Sequence, residues 1–196
     1  HPKLLHAWAF YDWANSVYSL VISSAIFPLY YGALTILKDE DGRVLNDKVD
    51  FLGYSINNDA LISYTTALAF LVVVIISPIL SGIADNLGNK KRFMQFFCYL
   101  GAFSCIGLFW FDLEHLTLGL LFYFFGLIGF WGSLVFYNSY LPDIAFKNQQ
   151  DKLSAKGFSL GYIGSVILLV LCLVTILNYE FFGLERGTKF PNEFLS

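Results

Sequence analysis

Charge is what this chain has least of. Only 14% of its residues are charged, 12 Lys and Arg against 15 Asp and Glu, where soluble domains carry roughly a quarter. With 57% hydrophobic residues and 21 Phe, too little polar surface remains to coat a water-soluble globule. A polytopic membrane protein is expected instead. The net charge of −3, with basic residues in short clusters, excludes nucleic acid as a partner. Cysteine is scarce as well. Cys98, Cys105 and Cys172 all lie inside apolar runs, where cysteine behaves as a small hydrophobe. Cys98 and Cys105 share a helical face, yet no His or carboxylate joins them, so neither a metal nor another cofactor is expected. Period-two alternation is absent, which excludes a β-barrel. No Ser-His-Asp set, zinc spacing or phosphate loop appears, and the reading is not an enzyme. The first apolar run is too long for a cleavable signal peptide and lacks its small-residue cleavage site. The opening His-Pro without Met, and the stop soon after a span, read as a fragment.

Long uncharged runs are what the chain does have. A spanning helix needs about 20 apolar residues to cross roughly 30 Å of hydrocarbon. Uncharged runs of that size lie at 13–37, 60–84, 93–111, 115–142 and 157–179. They predict an all-α membrane protein with five transmembrane helices near 7–37, 60–85, 91–111, 115–141 and 155–179. A loop at 38–59 and a tail at 180–196 complete the chain. Basic residues concentrate at 85–92 and 143–156, whereas 38–59 holds Asp39, Glu40, Asp41, Asp47, Asp50 and Asp59. That bias predicts a cytoplasmic N-terminus with the 38–59 loop and the tail outside, although Arg186 and Lys189 in the tail run against it. An odd number of helices followed by a polar tail implies a missing sixth span.

Three stretches hold residues able to do more than pack. In the first helix Asp12, Asn15, Ser16, Ser19 and Ser23 form one polar stripe at helical spacing. An ionisable residue in a span is costly and usually faces a cavity or a partner. Asp12 is therefore either solvated at headgroup depth or part of a pathway lining. In the fourth helix Gly119, Tyr123, Gly126, Phe130, Ser133, Tyr137 and Tyr140 share a face, with Asn138 beside it. Close packing explains the glycines, while Tyr137 and Asn138 are cavity candidates. In the fifth, Gly157, Gly161 and Gly164 make a small-residue packing ridge, and Ser159 and Tyr162 lie on a separate face. The acidic run Asp39-Glu40-Asp41-Gly42-Arg43 reads as a solvated turn.

The polar turn Pro78–Arg92 joins the second and third helices. Gly88 suits a positive φ there, and Lys90, Lys91 and Arg92 form the densest basic cluster. Asp85 stands at a helix C-terminus, where the dipole disfavours an anion, so it needs a basic partner or another helix's N-terminus. This turn resembles the signature loop of the major facilitator superfamily, G-x-L-A-D-R-x-G-R-K-x. Ser81 stands at the first Gly position, Ile83 at Leu, Ala84 at Ala, Asp85 at Asp, Gly88 at Gly and Lys90 at Lys. Asn86 and Asn89 replace two arginines, which thins the charge network of the loop.

Y-D-W-A-N-S at 11–16, F-Y-N-S-Y-L-P at 136–142 and S-A-K-G-F-S-L-G-Y-I-G at 154–164 are similar to the autophagy-related vacuole effluxer family and its bacterial relatives. The resemblance implies a twelve-helix permease of two six-helix halves, with these five transmembrane helices as most of an incomplete major-facilitator N-terminal half. It implies a missing C-terminal half as partner, alternating access, and a small polar solute such as an amino acid, with a coupling proton or cation. It also implies that Asp85 pairs with a helix of that second half. The expected protein is a secondary transporter in the bilayer of a bacterial inner membrane. Asp12, Asn15, Ser16, Ser19, Tyr137, Asn138 and Tyr162 are its cavity candidates, and Asp85, Gly88, Lys90, Lys91 and Arg92 its gating loop. A sugar–cation symporter, a membrane-embedded lipid-group transferase and a scaffold subunit are the rival readings.

Overall fold

The computed structural model describes residues 2–38, 41 and 43–183. Among them five helices are long and apolar enough to cross a membrane: Lys3–Thr35, Asn58–Asn86, Lys90–Trp110, Leu116–Ile144 and Lys147–Leu177. The first span is built from α1 (Pro2–Val17), a π-helical segment (Tyr18–Ile26) and α2 (Phe27–Thr35). It starts at Pro2 rather than near residue 7, because proline is pre-organised for the first turn of a helix.

The connection expected as a loop at 38–59 is largely paired strand. β1 (Leu37–Lys38) pairs antiparallel with β2 (Val44–Asn46), and β3 (Lys48–Phe51) with β4 (Tyr54–Asn57). Val49, Phe51, Tyr54 and Ile56 favour a pleated surface. The two-residue turn Leu52-Gly53 takes φ of 51° and 84°, the left-handed pair that matches the twist of a tight hairpin. Of the acidic run, Asp39, Glu40 and Gly42 lie outside the described residues. So does the tail from residue 184, with Arg186 and Lys189.

The second span is α3 (Asn58–Leu87). Asn57 caps it by accepting a hydrogen bond from the Ala60 N–H, and its other end closes on Gly88 at φ 62°. The third span is α4 (Lys90–Gly107) with a 3₁₀ turn (Leu108–Trp110), and the fourth is α5 (Leu116–Ser139) with the short α6 (Leu141–Ile144). The fifth, α7 (Lys147–Leu177), begins at Lys147 rather than near 155. Its first turns are polar, so hydropathy misses them, but Lys, Gln, Leu and Ala are good helix formers.

α5 is the pillar of the bundle, with 56% of its most apolar stretch buried against 11–22% for the other four spans. Its glycines make this possible. A Cβ on Gly129 would lie 2.4 Å from the backbone N of Gly101, and one on Gly119 would overlap the Phe111 ring. Stacked aromatics fill the remaining space, Phe27 on Tyr123 at 4.2 Å and Phe97 on Phe136 at 5.9 Å. Outward, Phe96, Tyr99, Phe103 and Ile106 of α4 and Val170, Leu171 and Val174 of α7 are exposed. Faces this apolar are stable only against lipid or another apolar helix. The chain is an all-α, multi-pass integral membrane protein.

Candidate functional site

α1, the π-helical segment, α5 and α7 line a partly open cavity of about 400 Å³. Among its lining residues is Asp12, only 6% exposed. The Ser16 hydroxyl donates to Asp12 Oδ1 at 3.1 Å, the i+4 relation that one helical face allows. Oδ2 faces the glycine ridge of α7. A Cβ on Gly161 would sit 3.2 Å from Oδ2 and 2.7 Å from Ser16 Oγ, and one on Gly157 would sit 3.5 Å from Oδ2. The ridge thus lets a carboxylate lie against a helix backbone. Gly164 serves the same packing one turn on, against the Trp13 ring and carbonyl.

Tyr137 forms the adjoining wall. Its ring stacks on Trp8 with centroids 4.2 Å apart at 11°, and on Tyr11 at 5.1 Å. Trp8 Nε1 donates to the Tyr137 carbonyl at 3.0 Å, which locks α1 to α5. The Tyr137 hydroxyl is buried without a hydrogen-bond partner among the described residues, beside the position a Gly157 Cβ would take, 3.1 Å away. A carboxylate, a serine hydroxyl and an unengaged phenol therefore converge within apolar surroundings, where polar contacts are strong and orienting.

Asp12, Ser16, Ser19, Tyr137, Asn138 and Tyr162 all line this cavity. Asn15 does not. Three residues from Asp12 it turns toward α5, where its Oδ1 accepts from Ser133 Oγ at 3.4 Å. The stripe also departs from its expected course further up. Ser24, not Ser23, lines the cavity, and its hydroxyl donates to the Ser19 carbonyl five residues back at 2.8 Å. A π-helix repeats at i+5, so after Tyr18 the lining residue falls one position later than an α-helix would put it. Trp8, Ser154, Phe158 and Ser165 also line the cavity and escaped the sequence reading. Ser154, Phe158, Gly161 and Ser165 repeat at i, i+4, i+7 and i+11 on α7, a periodicity that the glycine ridge overshadowed. Ser159 instead donates to its own Ala155 carbonyl at 2.8 Å.

At the turn after α3 the partner of Asp85 is Lys90, with Nζ 3.2 Å from Oδ1. Lys90 Nζ also lies 2.8 Å from Asp143 Oδ2 on α6 and donates to the Ser139 carbonyl at 3.4 Å. One cation thus holds the end of α3, the end of α5 and α6 together, and it sits where a helix C-terminus favours it. Gly88 makes the turn, while Lys91 and Arg92 are exposed.

A bundle of apolar spans around a buried acid, beside a largely apolar cavity and with a charged turn after the second span, defines a multi-pass membrane protein. The family described as "Vacuole effluxer Atg22 like" matches residues 1–185, and the chain belongs to that family. It is similar to the "Uncharacterized MFS-type transporter YxiO" of Bacillus subtilis (strain 168), 38% identical over 175 residues, covering 89% of this chain and 38% of that protein. It is also similar to "Autophagy-related protein 22" of Pyricularia oryzae, 25% identical over 162 residues, covering 71% of this chain and 23% of that protein. The chain spans less than half the length of these relatives. No solved structure matches it.

Proposed function

We propose that this chain forms the N-terminal half of a major-facilitator secondary transporter. In this reading it carries a small polar solute through the Asp12 cavity by alternating access against a C-terminal half of the same protein. The observation that carries the reading is the buried Asp12 carboxylate, opening with Ser16 and the unengaged Tyr137 hydroxyl onto a cavity among membrane spans. Such a group is expensive in a bilayer and is kept where it handles ions or polar solutes. The solute class is amino acids, whose ammonium group suits a carboxylate beside aromatic faces. Asp12 is the candidate for a coupling proton, and Asp85, Lys90 and Asp143 for a gate at one membrane face. The basic bias of 85–92 and 143–156 supports a cytoplasmic N-terminus, and the Bacillus relative supports a bacterial plasma membrane.

The test is solute uptake or efflux by the complete polypeptide in proteoliposomes, across an amino-acid and sugar panel, with and without a pH gradient. Asp12→Asn should lower transport at least tenfold, a barrier increase of about 1.4 kcal/mol, or remove its pH dependence. Wild-type rates at every pH in this variant would remove Asp12 from the mechanism. Transport of sugars alone would replace the amino-acid assignment.

A further inference from the structure

Two hydrogen-bond positions in the Asp12 cavity are left open by the fold. Asp12 Oδ1 takes the Ser16 hydroxyl at 3.1 Å, and among the described residues no donor reaches Oδ2. The second is the Tyr137 hydroxyl, buried without a partner on a side chain only 4% exposed. Both atoms bracket one point. The position a Gly157 Cβ would take lies 3.5 Å from Asp12 Oδ2 and 3.1 Å from the Tyr137 hydroxyl oxygen. Neither group is free to turn elsewhere. The Tyr137 ring is clamped by its stacks on Trp8 and Tyr11, and its backbone by the Trp8 indole. Asp12 is held by Ser16. Buried polar atoms left without partners are costly, so this pair of openings calls for a ligand that fills both.

The lining says which ligand fits. Asp12 carries the only charge among the residues that line the cavity, and Trp8, Phe130, Trp131, Phe158 and Tyr162 stand around it with Tyr137. An anionic group would meet the carboxylate with no cation beside it to offset the repulsion. A small metal ion needs oxygen ligands on several sides, where this wall offers mostly carbon. A protonated primary amine suits every part. One N–H donates to Oδ2 as a charge-assisted bond, a second donates to the Tyr137 oxygen, and the charge is favoured by aromatic faces.

We propose that Asp12 Oδ2 and the Tyr137 hydroxyl form a seat for a protonated primary amine, with Tyr137 as the residue that distinguishes N–H from N-methyl. The assignment deepens the transport reading and rests on the Asp12 cavity being the solute site. It gives the ammonium end of the solute to this half of the protein.

The probes are butylamine, butyltrimethylammonium and butyrate, titrated at neutral pH into the complete polypeptide in detergent. Intrinsic tryptophan fluorescence follows binding, because Trp8 and Trp131 line the cavity. A hydrogen bond to a charged group is worth about tenfold or more in affinity. Butylamine should therefore bind at least about tenfold more tightly than the quaternary ion, and butyrate should not compete with it. Tyr137→Phe keeps the ring and its stacks, and should cut the primary-over-quaternary preference about tenfold. Asp12→Asn should weaken both cations at least about tenfold. No saturable binding of butylamine, equal affinity for the two cations, or competition by butyrate would overturn the proposal. So would displacement of the amine by millimolar sodium, which would mark a site for inorganic cations. Equal weakening of both cations in Tyr137→Phe would give the hydroxyl a packing role only and would also end the assignment. Amine binding with no solute moved in proteoliposomes would keep the seat and remove the transport reading, whereas transport without amine binding would do the reverse.

Discussion

Two neighbouring serines give the sharpest test at the scale of single residues. Ser24 reaches the cavity because the backbone between Tyr18 and Ile26 winds as a π-helix, and Ser23 is carried off the lining face. If the cavity carries solute as proposed, Ser24→Ala should slow transport severalfold, the cost of one lost hydrogen bond of about 1 kcal/mol, while Ser23→Ala should leave it unchanged. Transport assays on the pair would show the reverse ranking if this stretch were α-helical in the working protein. Asp112 offers a test of a different kind. It lies in the short link between the third and fourth spans and accepts from the His115 N–H at 2.7 Å, with the His115 ring nitrogen 2.8 Å away. These contacts hold its carboxyl below the ordinary carboxylate value. A group whose folded value is depressed stabilises above its unfolded value near about 4 and loses that contribution as pH falls through the folded one. Asp112→Asn should accordingly be slightly less stable than wild type at neutral pH and converge with it at low pH, which flattens the acid limb of its thermal-stability profile; the difference stays small because the group is exposed.

At the scale of elements, glycines decide how closely the helices approach. Gly129 and Gly101 bring α5 and α4 backbone to backbone, and a Cβ on Gly129 would fall 2.4 Å from Gly101 N and 2.8 Å from the Phe97 carbonyl. Neither atom can swing aside, so Gly129→Ala should destabilise the bundle by about 1–3 kcal/mol, as overpacking does. Gly82 in α3 has open space around its Cβ position. Gly82→Ala should stabilise by up to about 1 kcal/mol through helix propensity alone. Melting of the two variants in detergent checks the contrast, and equal shifts would mean that the close approach is absent. The fourth-helix stripe of Gly119, Gly126 and Tyr137 could be read from spacing. The Gly101–Gly129 contact could not, since each glycine lies in its own helix and only packing reveals that they face one another. The same holds for Asn58, buried near the end of the first span. Its side-chain amide donates to Thr35 Oγ1 at 2.9 Å and its backbone carbonyl accepts from the Tyr31 hydroxyl at 2.9 Å. In the sequence it is one more polar residue beside Asn57.

For the whole molecule, the proposed alternating access turns on what one cation at the turn after α3 would do to the balance of states. Asp85 and Asp143 are 63% and 51% exposed, so each pair with Lys90 contributes at most about 1 kcal/mol. A two-state equilibrium responds to that by no more than roughly fivefold per pair. Asp85→Asn should shift the inward/outward ratio up to fivefold, and Lys90→Gln, which removes both pairs, further in the same direction. Accessibility of cysteines placed at the two ends of the Asp12 cavity reads this directly. Unchanged labelling in both variants would discard the gate.

Burial in lipid, the five spans, the charged turn and the lone acid of the first helix were all determined by the sequence alone. Hydrophobicity sums along a chain, and a missing charge needs no partner to be noticed. The tertiary structure decided the rest: that Asn15 turns to Ser133, that Ser24 replaces Ser23, that Lys90 answers Asp85, and that the 38–59 connection folds into hairpins. Each of these depends on helical register or on a partner far along the chain. Register changes with a single i+5 step, and a partner becomes definite only when the helices pack.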